Sequence, residues 1–239
     1  MFSIFEILVL MTVCVNIAQC AILLPCRVND EACLESSINK ALPQLLSENK
    51  ALGIESSDPL KVDLVDGDLA GLKFVLFTPT TRGFKQCVID DVKINEVAMT
   101  LHFKVACPSI EVSGRYNLTG RLIILPVEGH GDFHMTSGLY NVIVDCDLKA
   151  VQGDDKKKYV AIKSFKLKNE AKAPIHFDFK NLFNGQTELA DGVLKFANEN
   201  WREVANLLQD PLWYANMKKI ISNVNKYLKT QPLDEIIKP

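Results

Sequence analysis

From about Leu69 to Phe179 the apolar residues of this chain recur at every second position, and after Leu182 they recur every three to four. Successive side chains of a strand point to opposite faces, whereas those of a helix return after about 3.6 residues. The first stretch therefore predicts strands and the second helices. "MTLHFKV" sets Met99, Leu101, Phe103 and Val105 against Thr100, His102 and Lys104. "YNVIVDC" puts Tyr140, Val142, Val144 and Cys146 on one face, and "APIHFDF" does the same with Ile175, Phe177 and Phe179. The turn-like "TPTTRG", "NEV", "SG" and "QGDDKKK" separate these runs, so they read as consecutive antiparallel hairpins.

The helical regions flank them. "DEACLESSINKALPQLLSEN", from Asp30 to Asn49, spaces Leu34, Ile38, Ala41, Leu42 and Leu45 for a helix that Pro43 should end or kink. After Leu182 one stripe runs through Leu189, Val193, Phe196, Ala197, Trp201, Val204 and Leu208. Asp210 followed by Pro211 reads as a helix restart, an N-cap with proline in the first turn. A second stripe follows through Trp213, Met217, Ile220, Val224 and Leu228, and Pro232 stops it. With 239 residues, 48% of them hydrophobic, and no internal repeat, linker or composition break, residues 21–239 are expected to form one domain.

One segment breaks the alternation. "RLIILPVEGHG", residues 121–131, places Leu122, Ile123, Ile124 and Leu125 in succession. Read as a strand, it needs cover on both faces, from protein or from something apolar that is not protein. Leu122 and Ile124 are expected to face inward, in phase with Phe133 and Met135, and Ile123 and Leu125 to face the other way.

The net charge of −2 supplies no field for nucleic acid, and no Lys/Arg stripe is interleaved with aromatics. The apolar run from Ile7 to Ile17 is short for a membrane span, and small residues at Ala18 and Cys20 precede Ala21. Residues 1–20 therefore read as a cleaved signal peptide, despite Glu6 and the lack of a basic n-region. No later segment has the length of a span, so the mature chain is expected outside the cell and not integral to a membrane. Cleavage leaves Cys26, Cys33, Cys87, Cys107 and Cys146, an odd number. Cys26 and Cys33 are expected to pair, pinning the leading segment to the first helix. A hairpin would bring Cys87 near Cys107, a pairing that depends on strand register and stays open with that of Cys146, which reads as a small buried hydrophobe.

Signatures of catalysis are missing. There is no G-x-S-x-G elbow and no H-E-x-x-H, and "GHGDFH" lacks the third glycine of a dinucleotide fingerprint. His130 and His134 sit in a strand pattern, about 13 Å apart, too far to share an ion. "DLVDGDLAGLKF" from Asp63 lacks the third-position aspartate and closing glutamate of a calcium loop and reads as a turn before a strand. "DDKKK" from Asp154 reads as a solvated hairpin tip. Asn117, in "NLT", is a glycosylation acceptor by pattern. No cofactor or metal is expected.

"PCRVNDEACLESSINKALPQLL", "SGRYNLTGRLIILPVEGHGDF" and "FKNLFNGQTELADGVLKFANENW" followed by "PLDEII" together resemble the takeout and juvenile-hormone-binding protein family of insects, across nearly all of the mature chain. "NLFNG" and "ENW" place it nearer the takeout branch. The resemblance implies an α+β fold: a strongly curved antiparallel sheet wrapped around a long helix, enclosing an apolar tunnel. Cys26 and Cys33 match the family's N-terminal cysteine pair, whereas Cys87, Cys107 and Cys146 match no position of its pattern. It implies a secreted carrier, in haemolymph or another extracellular fluid, for a hydrophobic small molecule such as a terpenoid like juvenile hormone, a fatty acid or a quinone-like lipid. The alternatives are a membrane-surface lipid-transfer protein and, with less support, an ester hydrolase. Candidate ligand-contacting residues are Met99, Leu101, Phe103, Leu122, Ile124, Phe133, Met135, Val142, Val144, Phe177, Phe179, Phe196, Trp201 and Met217.

Overall fold

The computed structural model describes residues 22–238. The expected signal peptide and its cleavage point lie outside the described residues. Twelve strands and four α-helices follow one another among those described. Strand β1 (Cys26–Arg27) leads into helix α1 (Glu31–Leu45), and a hairpin-rich middle then comprises β2 (Leu60–Lys61), β3 (Leu64–Leu69), β4 (Leu72–Arg82), β5 (Val88–Asn95), β6 (Thr100–Cys107), β7 (Ile110–Leu122), β8 (Leu125–Ser137), β9 (Tyr140–Gln152), β10 (Lys158–Ala171) and β11 (Ile175–Phe179). Helices α2 (Thr187–Glu199), α3 (Trp201–Leu228) and α4 (Leu233–Ile236) precede β12 (Ile237–Lys238).

Pairing divides the curved antiparallel structure into two sheets, β10-β9-β6-β5 and β11-β8-β7-β4-β2, with β3 also on β4. Helix α3 packs against β10 of the first and against β3 and β11 of the second. Register shifts bend the strands at Phe77/Thr80 in β4, Asp90/Lys93 in β5 and Ile162/Ser164 in β10. A bulge adds a residue to one strand and increases its local twist, which lets these sheets wrap the helix.

Three asparagines fasten helices to sheet edges. Asn39 of α1 donates to the carbonyl of Ile89 in β5 at 2.7 Å and accepts from its N–H at 2.8 Å. Asn198 of α2 does the same at Phe177 of β11, at 3.0 and 2.8 Å, and Asn225 of α3 at Ile162 of β10, at 2.9 and 2.8 Å. All three strands are sheet edges, so each amide pairs with backbone groups that have no neighbouring strand. The remainder of the β10 edge strand carries exposed Lys158, Lys163, Lys166 and Lys168.

Four expectations are corrected. Residues 121–125 are not a strand covered on both faces but the tip of the β7–β8 hairpin, in which Leu122 pairs with Leu125. Ile123, at φ 61°, and Ile124 form its two-residue turn, and Ile124 is 73% exposed, so it faces solvent and not the interior. Positive φ at the first central residue alone is the pattern of a type II′ turn, which twists with the strands but normally has glycine there. Asp210–Pro211 is not a helix restart: α3 runs through it. The Asp210 carboxylate accepts from Asn169 instead of capping, and burial of Val204, Leu212, Trp213 and Met217 on either side outweighs the one backbone hydrogen bond proline forgoes. The helix break falls earlier, at Asn200 (φ −108°, ψ 36°), whose side chain donates to the carbonyl of Phe196 at 2.8 Å. Pro43 lies inside α1, which ends two residues later at Leu45. The segment after Asp63 is itself strand β3, with the turn at Ala70–Gly71.

Replacing Asn225 by alanine leaves the Ile162 N–H and carbonyl without their partner, for an expected loss of about 1–3 kcal/mol in denaturant unfolding. Asn206→Ala, an exposed position on the same helix, should change stability by no more than about 0.5 kcal/mol.

Candidate functional site

The inner face of the four-stranded sheet does not meet the helices everywhere. Between them lies a cavity of about 370 Å³. One wall is strand residues, with Ile89 and Ile94 from β5 and Leu101, Phe103 and Val105 from β6. The opposite walls are helical stripes: Leu34, Ile38, Leu42 and Leu45 of α1, and Trp213, Met217, Ile220, Val224 and Leu228 of α3. Asp30 fixes the start of α1 by accepting from the Cys33 N–H at 3.0 Å. The roof is made by both ends of the described chain, Leu23, Leu24 and Val28 from one and Leu233, Ile236 and Ile237 from the other. Cys26–Arg27 and Ile237–Lys238 pair there as parallel strands.

Two disulfides brace these walls. Cys26–Cys33 ties the roof to α1, and Cys87–Cys107, with Cα atoms 4.1 Å apart, joins the residue before β5 to the end of β6. Cys146 is a buried free thiol. Burial, aided by the charges of Asp145 and Asp147, pushes that thiol up to about 12.

Polar side chains are few in the wall. Ser37 spends its hydroxyl on the backbone of Leu24, accepting from the N–H at 2.7 Å and donating to the carbonyl at 3.0 Å. Asn95 and Glu96 sit together where β5 turns into β6. The Asn95 side-chain oxygen accepts from the Ala98 N–H at 2.8 Å, which leaves its amide hydrogens for another acceptor. Among the described residues no histidine lines the cavity. It offers a ligand an apolar wall with polar groups where β5 turns into β6.

Of the residues singled out from sequence, Met99, Leu101, Phe103 and Met217 line this cavity. Leu122, Met135, Phe177 and Phe179 line a separate void of about 50 Å³ between the six-stranded sheet and α2 and α3. A second void of about 50 Å³ lies between Met135, Phe177, Tyr140 and Trp213. Phe133 stacks on Phe179 with ring centres 5.6 Å apart, and Val142 and Val144 are wholly buried. Phe196 and Trp201 are half-buried and border none of the three spaces; Arg202 lies over the Trp201 ring at 4.5 Å. Ile124, exposed at the hairpin tip, borders none of them. The stripes on α1 and α3 were visible as helical periodicity, but nothing local says that such a stripe borders space instead of side chains.

Outside the cavity, His134 Nε2 lies 3.2 Å from Glu111. His102 Nδ1 lies 2.6 Å from Asp145 on the outer face of the four-stranded sheet. Burial pushes the Tyr116 hydroxyl up to about 12, and it donates to the carbonyl of Lys180 at 2.7 Å.

The family model described as haemolymph juvenile hormone binding protein matches residues 7–238. The chain belongs to the takeout and juvenile-hormone-binding protein family. Among the relatives of this family member, the circadian clock-controlled protein daywake of Drosophila melanogaster is 27% identical over 228 residues, covering 88% of this chain and 85% of that protein. The daywake protein of Drosophila yakuba is 26% identical over 231 residues, or 89% and 86%. The crystal structure of Epiphyas postvittana Takeout 1 matches with a TM-score of 0.86 at 30% identity, covering 90% of this chain and 99% of that one. The expected architecture, a curved antiparallel sheet around a long helix, is the takeout fold.

Non-reducing peptide mapping should recover Cys26 linked to Cys33 and Cys87 linked to Cys107. Cys146 should resist alkylation near pH 8 in the folded protein and react once it is unfolded.

Proposed function

We propose that this protein is a carrier that holds a hydrophobic small molecule in the cavity under the four-stranded sheet and performs no chemistry on it. The observation that carries this reading is a space of about 370 Å³ walled mainly by aliphatic and aromatic side chains from helices α1 and α3 and from all four strands of the four-stranded sheet. That volume is at the small end of the roughly 300–1,000 Å³ of ligand pockets. At about 25 cal/mol per Å², removing a few hundred Å² of ligand surface from water is worth several kcal/mol, enough for binding without a strong polar contact. The Asn95 amide would donate to the polar end of an amphiphile. A terpenoid such as juvenile hormone, a fatty acid or a quinone-like lipid has this form, and the family is described by the binding of juvenile hormone in haemolymph.

Release into an extracellular fluid belongs to the same reading. It is supported by the apolar leader in the sequence, by two disulfides that suit an oxidising compartment, and by an exposed Asn117 in an acceptor sequon. A second reading, lipid transfer at a membrane surface, is favoured by one observation: exposed Leu69, Ile123 and Ile124 lie at neighbouring hairpin tips, joined where the Arg121 N–H donates to the carbonyl of Gly71 at 3.0 Å. Among the described residues no helix is long and apolar enough to cross a membrane.

Incubation with a labelled hydrophobic ester separates carrier from hydrolase, since product formation overturns the carrier reading. Liposome flotation of the ligand-loaded protein is expected to leave it in solution. Leu101→Trp fills the cavity and should weaken binding of a fluorescent fatty acid at least about tenfold, with a cost of no more than about 1–3 kcal/mol in stability. Ile124→Trp, at the exposed tip, should leave that binding unchanged.

A further inference from the structure

Three apolar spaces follow one another along α3. The main cavity borders the helix from Trp213 to Leu228, the middle void from Ala205 to Asn216, and the end void from Val204 to Leu212. Middle and end voids share Met135, Phe177, Leu208 and Leu212 in their walls. Main cavity and middle void share a single residue, Trp213.

We propose that the indole of Trp213 is the partition that sets the length of ligand the protein accepts. This rests on the carrier reading above and deepens it. The indole is buried between Phe84, which it meets edge-on with ring centres 5.9 Å apart, and Tyr140, which it covers at 4.8 Å. Tyr140 is itself held, its hydroxyl donating to Gln209 Oε1. The three rings thus form a wall across the space between the sheets and α3.

Beyond the wall, three of the polar side chains are already hydrogen-bonded. Asn216 donates to Thr81 Oγ1 at 3.1 Å, Ser137 donates to the carbonyl of Ile110 at 3.4 Å, and Gln209 accepts from Tyr140. A hydrocarbon entering the middle void would break no hydrogen bond and would meet Ile110, Val112, Ile175 and Leu212. With the indole in place, a chain anchored at the Asn95 amide ends against Trp213. With a smaller side chain there, it continues along α3 towards the six-stranded sheet.

The test is a displacement series of straight-chain saturated fatty acids, from decanoate to tetracosanoate, on the full chain and on Trp213→Phe and Trp213→Leu. Each methylene that becomes buried tightens Kd by roughly fourfold. In the native protein that gain should stop at the chain length that reaches the wall. In Trp213→Leu it should continue for further carbons, so that the longest acids bind about tenfold tighter than they do to the native protein, with Trp213→Phe between the two. Ala205→Leu, which narrows the middle void, should return the Trp213→Leu limit to the native length. Trp213→Phe keeps a ring in the wall and remains informative should Trp213→Leu not fold. The same length limit in native and folded variant proteins overturns the partition, as does affinity that rises through tetracosanoate in the native protein, or a folded variant that binds no acid. Failure of the native protein to bind any acid in the series contradicts the carrier reading itself.

Discussion

A side-chain amide offers the same donor and acceptor as a peptide group, and this fold depends on that equivalence at three places. Asn39, Asn198 and Asn225 each present an amide to the backbone of one edge residue. Hydrophobic contact alone would let a helix slide along a sheet, because it is non-directional. Two hydrogen bonds to one peptide unit fix the helix at one height and one rotation. Two of the clamped residues, Ile89 and Ile162, also line the main cavity. The clamps therefore hold α1 and α3 at the edges of the sheet while the space between stays open.

That space survives because its walls are braced from outside. Empty apolar volume is costly, as atoms facing it lose dispersion partners that a close-packed core would supply. Here the bulges in β5 and β10 bend the strands of the four-stranded sheet, and the Cys87–Cys107 bridge fastens β5 to β6. At the other end of α3 no such separation exists. Tyr116, Phe133 and Phe179 fill the region under the six-stranded sheet, with Tyr116 and Phe179 ring centres 4.8 Å apart. One helix thus serves a filled half and an open half of the same molecule.

Much of the architecture was legible as periodicity. The alternation of Leu101, Phe103 and Val105 marks the face of β6 turned to the cavity, with Met99 joining them from just before the strand, and the stripe from Trp213 to Leu228 marks the wall opposite. What periodicity cannot distinguish is a wall from a packing surface. Val142 and Val144 alternate as Leu101 and Phe103 do, and lie opposite Val105 and Phe103 in the same sheet, yet they are wholly buried and border no space. The difference is set by how far away the helix is held, a property of distant residues such as Asn39 and Asn225. The tip at Ile123–Ile124 was misread because a turn with no glycine, asparagine or aspartate carries no local signal. The run through Asp210–Pro211 was misread because tertiary burial outweighs a local stop.

The lysines of β10 bear on how the protein behaves among copies of itself. A sheet edge whose backbone groups are unpaired is a template for another strand, and the hazard grows with the length of the strand. Strand β10 runs for 14 residues. Asn225 occupies the edge at Ile162, and beyond it Lys163, Lys166 and Lys168 stand exposed. Two copies meeting edge to edge along β10 would bring ammonium groups into apposition and would also have to displace a helix. The same strand that helps to enclose a greasy interior is thereby a poor seed for fibrils.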